Sequence, residues 1–181
     1  MRLVNASNRT DLLLHRVLMF YQEPVMADAF VKLVTRHHAV SLRLIDWLVT
    51  NYSKKLDVGY MVRRDGLAMQ FNMHLSYKAC LRAFSKRQFD PFARRDRVIA
   101  RIGEWEVSTT VAQLCFFRWC LLNDVIAYAE RHRDDIERDM LKSIAHRGGT
   151  RDGQQASKPK RRMLSVGRRV TSVSVDNVVV M

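Results

Sequence analysis

Two adjacent histidines are the first residues whose types and positions could support chemistry. Imidazole nitrogens bind metal ions and exchange protons near neutral pH, so His37 and His38 raise the question of a metal or acid–base site. Adjacent residues on a helix point about 100 degrees apart, which makes it difficult for them to bind one ion together. No Asp or Glu lies three or four residues from either histidine. We therefore interpret the pair as structural.

Carboxylates are concentrated between residues 134 and 139, where Asp and Glu could serve as a general acid and base. Three arginines interleave with them: Arg131, Arg133 and Arg138. Opposite charges three or four residues apart pair on a helix surface, and each pair contributes a few tenths of a kcal/mol. The pattern therefore indicates an exposed helix face with local ion pairs.

The cysteines of the chain are three in number and lack the spacing of a metal site: Cys80, Cys115 and Cys120. The last two are five residues apart, so a helix would not place them closely on one face. Their neighbours in the sequence are mainly apolar. The pattern favours buried free thiols that pack as small hydrophobic side chains.

An arginine cluster follows the turn signal at residues 90–91: Arg94, Arg95 and Arg97. These side chains could contact phosphate groups, because a guanidinium donates two parallel hydrogen bonds to such an anion. They could equally clamp the loop to acidic helices, and the sequence leaves both alternatives open. Asp46, in an otherwise apolar helical segment, is predicted to form an ion pair with Arg43 or with this cluster.

No motif of a catalytic or cofactor site occurs in the sequence. It contains no glycine-rich phosphate-binding loop, no paired-histidine zinc motif and no serine-hydrolase elbow. Because the candidate groups above have structural explanations, we expect a protein without enzymatic activity, without a cofactor and without a bound metal.

The composition limits the class of protein. A chain of 181 residues corresponds to one domain with tails, and 48% hydrophobic residues is ordinary for a globular protein. No run approaches the roughly 18 uninterrupted apolar residues that a transmembrane segment requires. His15 and Arg16 interrupt the first apolar stretch and no cleavage site follows it, so we expect no signal peptide and a location in the cytosol or nucleoplasm.

The charge is the unusual feature of the composition. Lys and Arg number 31 against 18 Asp and Glu, a net charge of +13, which implies an acidic partner such as nucleic acid, an anionic membrane surface or an acidic protein. Residues 147–169 hold eight cations and one carboxylate, about half of this charge. The predicted anion contacts in this segment are Lys158, Lys160, Arg161, Arg162, Arg168 and Arg169.

Helices and two β-hairpins must position these residues. Apolar spacings of three and four predict helices at residues 12–22, 27–38, 42–52, 77–87 and 132–147. Alternating apolar residues around Asp65–Gly66 and around Gly103–Glu104 predict two hairpins. Two hairpins separated by one helix can align edge to edge, so we expect one four-stranded antiparallel sheet with helices on one face. The predicted fold class is α+β.

A further helix is predicted at residues 111–129, after a capping-box pair formed by Thr110 and Gln113. Arg118 is its only charged residue before Asp124, so most of its circumference must be covered. It is therefore either a central core helix or one that completes its burial on a partner. The residues predicted to contact such a partner are Phe116, Trp119 and Leu122.

Four parts are predicted along the chain. Residues 1–39 form an N-terminal helical extension, 40–147 the α+β core domain, 148–169 a basic flexible linker and 170–181 a β-like tail. The tail alternates valine with serine and is predicted to add a strand to a sheet edge, either its own or a neighbour's. Its predicted partner contacts are Val173, Val175, Val178 and Val180.

Three blocks stand in order along the sequence: SLRLIDWLVTNYSKK (41–55), YKACLRAFSKRQFDPFARRDRV (77–98) and STTVAQLCFFRWCLLNDVIAYA (108–129). With the basic linker and the ending LSVGRRVTSVSVDNVVV (164–180), they resemble a family of small basic proteins of nucleocytoplasmic large DNA viruses, the group of giant viruses, iridoviruses and phycodnaviruses. The resemblance covers roughly residues 40–180, and Cys80, Ala93 and Cys120 depart from it. It implies a virus-encoded, virion-borne protein without enzymatic activity, present in the host cytoplasm or nucleus during assembly.

Two classes of function follow from this resemblance. The first is a minor capsid or scaffold component that binds neighbouring shell proteins through the apolar helix and the tail strand. The second is a sequence-independent nucleic-acid-binding protein of the virion core or of late gene expression, acting through the basic linker. We favour the first, because the cations of the predicted domain are mixed with carboxylates and do not follow one helix face.

Overall fold

The computed structural model describes residues 9–149, with the exception of residues 65, 85–87 and 95. Two short antiparallel hairpins and a set of helices share one hydrophobic core, so the predicted α+β class is confirmed. The elements are, in chain order, α1 (Arg9–Phe20), α2 (Pro24–Val34), α3 (Leu42–Trp47), a π-helical turn (Leu48–Tyr52), α4 (Ser53–Leu56), β1 (Gly59–Arg64), β2 (Leu67–Asn72), α5 (Met73–Phe84), β3 (Val98–Ile102), β4 (Trp105–Thr109), α6 (Val111–Leu122), α7 (Val125–Arg131) and α8 (Arg133–Gly149).

Helix α6 lies at the centre of the core. Its start is fixed by Thr110, whose Oγ1 accepts a hydrogen bond from the backbone N–H of Gln113 at 3.1 Å. Eight of its 12 residues are buried, whereas Arg118 is exposed. Of the two alternatives for this apolar helix, the fold adopts the central core helix.

The N-terminal helices cover one side of α6. The hydroxyl of Tyr21 donates a hydrogen bond to the carbonyl of Leu114 at 2.9 Å, and both groups are buried. The rings of Phe30 and Phe117 lie 5.9 Å apart in an edge-to-face arrangement. Aromatic pairs of this geometry contribute about 0.5–1.5 kcal/mol beyond the burial of their area. Helices α1 and α2 therefore pack into the same core as α6.

Helix α6 ends earlier than predicted. The predicted helix extends to residue 129, whereas α6 ends at Leu122 and α7 begins at Val125. Between them Asp124 has a φ of 53°, in the left-handed region that a right-handed helix cannot include. The buried side chain of Asn123 stabilises the break by donating a hydrogen bond to the Trp119 carbonyl at 2.7 Å. A local polar contact thus divides one predicted helix into two.

Three other helices begin or end differently from the prediction. Helix α2 begins at Pro24 and not at residue 27, because proline at the first helical position lacks only an N–H that would be unpaired there. Helix α5 starts at Met73, directly after β2, where the Asn72 side chain accepts a hydrogen bond from the Leu75 N–H at 3.0 Å. The helix predicted at 42–52 begins after the Ser41 cap as expected, but continues through the π-helical turn into α4.

No helix among these described elements combines the length and the apolar character needed to cross a bilayer.

The two predicted hairpins form at the predicted turns. Strand β1 pairs with β2 from Gly59 opposite Asn72 to Arg64 opposite Leu67, and β3 pairs with β4 in the same antiparallel manner. They form two separate two-stranded sheets, so the predicted four-stranded sheet is wrong.

The position of each hairpin along α6 explains the separation. Thr109 of β4 donates a hydrogen bond to the side chain of Gln113 at 2.8 Å, near the start of α6. Tyr60 of β1 donates one to the carbonyl of Asn123 at 2.8 Å, beyond its end. Asn123 lies ten residues after Gln113, which corresponds to roughly 15 Å along the helix. Paired strands lie about 4.8 Å apart, so the two hairpins are held too far from each other to pair.

Candidate interaction surface

The two adjacent histidines have separate partners. His37 Nδ1 lies 2.9 Å from the hydroxyl of Thr35. His38 Nδ1 accepts a hydrogen bond from the N–H of Val40 at 3.1 Å, and its Nε2 lies 3.3 Å from a carboxylate oxygen of Glu130. Within the described part of residues 9–149, no group of three His, Cys, Asp or Glu side chains could hold a metal ion. These contacts agree with the structural interpretation of the pair.

The carboxylates of α8 make two kinds of contact. Asp135 forms the expected local ion pair, with Arg138 at 2.8 Å. Asp139 instead joins separate elements, since it accepts hydrogen bonds from the indole N–H of Trp47 at 3.0 Å and from the ammonium of Lys55. The hydrogen bond from Lys55, supported by the one from Trp47, lowers the pKa of Asp139 below its ordinary value of 3.8. Asp139 therefore clamps α8 onto α3 and α4.

We expect Asp139→Asn to lower the free energy of unfolding by about 1 kcal/mol near neutral pH, because the charge that holds Lys55 is lost. A carboxylate with a lowered folded pKa stabilises the fold above its unfolded pKa and loses that contribution as the pH falls through the folded pKa. In urea titrations the difference from the wild type should therefore shrink once the pH is below 3.8. Asp135→Asn, at an exposed pair, serves as the control with a smaller effect. A difference that does not change with pH would contradict the clamp.

The cysteines are free thiols, and Cys115 and Cys120 are buried, as predicted, whereas Cys80 is half-buried. Burial raises the pKa of Cys115 to about 11 and the pKa of Cys120 well above its ordinary value of 9.0. A protonated thiol is neither a good nucleophile nor a metal ligand. At neutral pH these side chains act as core residues.

We expect the protein to lose stability as the pH rises above 9. Burial raises the pKa of Tyr77 to about 12 and that of Cys115 to about 11, while their ordinary values are 10.0 and 9.0. A group with a raised folded pKa contributes its full stability below the unfolded pKa, and that contribution is lost as the pH rises through the folded pKa. The Tm from circular dichroism should fall between about pH 9 and 11, and fall less in Cys115→Ala. A Tm that is constant over this range would contradict the prediction.

Arg94, the first residue of the arginine cluster, is engaged within its own loop. The guanidinium of Arg94 lies 3.3 Å from the carboxylate of Asp90 and 4.5 Å from the centre of the Phe92 ring. Among the described residues, no salt bridge joins Asp46 to Arg43, Arg94 or Arg97, the described cations predicted to pair with it. Burial raises the pKa of Asp46, and the charge of Arg94 opposes the rise.

Several predicted contacts cannot be placed. Arg97 makes only a long contact of 3.5 Å with the hydroxyl of Ser108, and Arg95 lies outside the described residues. The predicted anion contacts at 158–169 and the predicted tail contacts at 173–180 also lie outside them.

Of the three partner contacts predicted on α6, only Leu122 reaches the surface. Phe116 is 0% exposed and Trp119 is 7% exposed, whereas Leu122 is 42% exposed. The ring of Phe116 lies 5.3 Å from that of Phe89, and the ring of Trp119 lies 6.1 Å from that of Phe71. The predicted partner contacts at Phe116 and Trp119 are therefore corrected to core contacts, because the chain itself covers them.

An exposed apolar surface lies on the hairpin of β1 and β2. Residues directly opposite in an antiparallel pair point to the same face. Val62, opposite Met69, is 3% exposed, but Met69 itself is 50% exposed and Leu67, two residues nearer the turn on the same face, is 69% exposed. The core thus covers the inner face at the base of the hairpin, as far as Val62 and Phe71, and leaves Leu67 and Met69 of β2 open towards the turn. We name Leu67, Met69 and the outer edge of β2, which no other described strand pairs with, the β2 surface.

Strand β1 anchors this hairpin. Tyr60, which donates to the Asn123 carbonyl, stacks on the ring of Tyr128 at 5.2 Å. Arg64 donates a hydrogen bond to the side-chain oxygen of Asn123. Both contacts are made from β1, whereas β2 contacts α6 through Phe71 at the base of the hairpin and not through Leu67 or Met69.

The second hairpin exposes less of its inner face. Ala100 and Val107 are directly opposite each other and are both buried. Trp105, near the turn, is 41% exposed, and Ile99 is 70% exposed on the outer face. The apolar exposure of this hairpin is thus confined to its tip and to one outward side chain.

A shallow groove of about 420 Å³ lies between α1 and α5. Its lining residues are Leu12, Leu13, Arg16, Ala83, Phe84 and Gln88. Among these described lining residues, Arg16 is the one with an ionisable side chain.

The comparisons with known proteins give a family and a viral relative. A family model, described as "Family of unknown function (DUF7197)", matches residues 5–166. The chain is similar to the uncharacterized protein L507 of Acanthamoeba polyphaga mimivirus, with 34% identity over 116 residues that cover 61% of this chain and 45% of that protein. The match thus spans less than half of the length of the relative, and it supports a giant-virus origin. No solved structure matches the chain.

Proposed function

Because this chain belongs to the family DUF7197, and because a similar protein is encoded by a giant virus, we propose that it is a structural protein of a large DNA virus particle. In this proposal it is a minor capsid or scaffold component that binds neighbouring shell proteins and has no enzymatic activity. It resides in the virion and is present in the host cytoplasm or nucleus during assembly. The β2 surface and the tail strand make the contacts, and α6 does not.

The β2 surface is the observation that carries this proposal. Leu67 and Met69 expose apolar area beside a strand edge that no other described strand pairs with. Such an edge pairs readily with other chains, and proteins normally protect it with charges, bulges or a covering element. A strand from a neighbouring protein would satisfy the backbone groups of the edge and bury both side chains at once.

The engagement of the ionisable groups supports a role without catalysis. His38 bonds to Glu130, Asp139 to Lys55, and the buried thiols are protonated at neutral pH. A catalytic group normally retains an open position towards a substrate. The ionisable atoms of His38 and Asp139 are instead engaged in contacts within the fold.

Incorporation into particles tests the proposal. Virus carrying Leu67→Lys with Met69→Lys should contain about tenfold less of this protein, since two charges on the β2 surface oppose burial against a partner. Ile99→Lys, at an equally exposed apolar residue outside the β2 surface, is the matched control and should leave the amount unchanged. Density for the chain is expected at a symmetry-repeated position of the shell. Normal incorporation of the double variant, or absence from the shell, would overturn the proposal.

The second candidate function, nucleic-acid binding, is favoured by the charge. Residues 9–149 contain 23 Lys and Arg against 16 Asp and Glu, a net +7, and residues 150–181 contain seven against two, a net +5. Cations that contact phosphates release counterions, so the affinity falls as salt is added.

A filter-binding titration with duplex DNA at several salt concentrations separates the two candidates. For a nucleic-acid-binding protein, replacing the four cations Lys158, Lys160, Arg161 and Arg162 by alanine should reduce the slope of log K against log salt by about three to four units. Weak binding with an unchanged slope would remove this candidate.

A further inference from the structure

We infer that residues 170–181 of the same chain bind to the β2 surface as a third strand of that sheet. The inference rests on the proposed function and deepens it, since it names the segment that occupies the same surface while the protein is free in solution. The tail would then protect the edge until a neighbouring protein in the particle replaces it.

The β2 surface has the spacing that an added strand requires. Leu67 and Met69 are two residues apart on one strand, so they lie on one face about 6.6 Å apart. A strand beside β2 would place every second side chain within about 4.5–5.5 Å of this row. In the part of the chain that the structure describes, no backbone group of another element bonds to the outer edge of β2.

The tail carries a matching pattern. Val173 and Val175 have the same two-residue spacing as Leu67 and Met69. The residues that alternate with the valines are polar: Ser172, Ser174 and Asp176. With the valines on the inner face, the polar side chains would follow the exposed Gln70 on the outer face. Over residues 172–176, one register thus covers the exposed apolar pair and keeps the polar side chains in water.

The length of the intervening chain permits this docking. Residues 150–169 separate α8 from the tail, and 20 residues span at most about 70 Å. A domain of about 140 residues has a radius of gyration of roughly 14 Å, so the tail can reach any edge of its own domain. Attachment within one chain gives an effective concentration on the order of mM. In dilute solution the tail of the same chain therefore competes successfully with the tail of a second molecule.

The other strand edges fit the tail less well. The apolar residues on the inner face of β1 are already packed, since Val62 is buried and Tyr60 is stacked on Tyr128. In the second hairpin Ala100 and Val107 are both buried, so an added strand would find no apolar row to cover. Only β2 combines an unpaired edge with two exposed side chains on the inner face, among the described strands.

Hydrogen–deuterium exchange of the full-length protein, measured by mass spectrometry, tests the inference. Val173→Asp with Val175→Asp should raise the exchange rate of the amides of residues 67–70 by about tenfold, because the tail no longer covers them. The amides of the second hairpin, residues 98–109, should be unaffected. Ser172→Asp with Ser174→Asp is the matched control, with the same charges on the opposite face, and should leave residues 67–70 protected.

Two results would overturn the inference. One is an equal exchange rate for residues 67–70 in the wild type and in the valine variant. The other is protection of residues 67–70 that increases with protein concentration, because the tail bound to the β2 surface would then belong to a second copy of the protein. If the protein is found in the shell although its β2 surface exchanges freely in solution, the result contradicts only the intrachain docking. If the β2 surface is protected in solution but the protein is absent from the shell, the result contradicts only the proposed function.

Discussion

Phe116→Ala should lower the free energy of unfolding by about 3–5 kcal/mol, the cost of deleting a fully buried aromatic ring. Phe116 is completely buried, and its ring lies edge-to-face against both Phe89 and Phe117. Because α6 is packed on several sides, the surrounding side chains cannot collapse into the cavity. Urea unfolding monitored by fluorescence or circular dichroism measures the loss.

Leu122→Ala is the control on the same helix. This side chain is substantially exposed, so its removal should cost less than about 1 kcal/mol. The pair of variants separates a core role from a binding role. If α6 were a docking helix, Phe116→Ala would weaken a partner contact and leave the stability of the isolated protein nearly unchanged, which is the result that contradicts this structure.

Gln113→Ala should lower the free energy of unfolding by about 2–4 kcal/mol, because two buried polar groups lose their partners. The side-chain amide of Gln113 donates to the carbonyl of Pro91 at 2.9 Å, and its oxygen accepts from the Thr109 hydroxyl at 2.8 Å. One side chain thereby joins the loop after α5, strand β4 and helix α6. Urea unfolding of this variant measures the effect.

Gln70→Ala provides the comparison, since Gln70 is exposed on β2 and should change the stability by no more than about 0.5 kcal/mol. Equal effects of the two substitutions would show that the buried amide of Gln113 does not join the three elements as described.

Local signals in the sequence predicted the start of several elements. Ser41 caps α3 and Thr110 caps α6, because a capping side chain needs only the N–H groups two or three residues ahead. The two hairpins form where predicted for a similar reason, since Gly66 and Gly103 supply the unusual backbone angles of the turns, with φ of 80° and 59°. Gln113 departs from the capping-box pattern, because its side chain bonds to Pro91 and Thr109.

Contacts between distant segments determine features of the fold that the sequence pattern alone leaves open. An apolar helix at 111–129 is compatible with a core position and with a docking position, and only the packing of residues such as Tyr21 and Phe30 selects the first. The separation of the two sheets depends in the same way on which end of α6 each hairpin contacts.

The exposure of the β2 surface is a second feature that could be predicted only in part from the sequence. Alternation predicted correctly that Leu67 and Met69 share a face with Phe71, because the side-chain period of a strand is two. It could not show where the core stops covering that face. The adjacent arginines Arg63 and Arg64 and the turn beside them are the signals that could have indicated a protruding tip.

The hydrogen bond between Tyr21 and Leu114 also has a consequence for biosynthesis, because it joins residues 93 positions apart. Helices α1 and α2 leave the ribosome before their packing partner exists. At about 5–20 residues per second, the delay amounts to roughly 5–20 s. During that interval their apolar stripes lack the cover that α6 provides in the complete fold. Helices α1 and α2 can therefore complete their packing only after α6 has emerged.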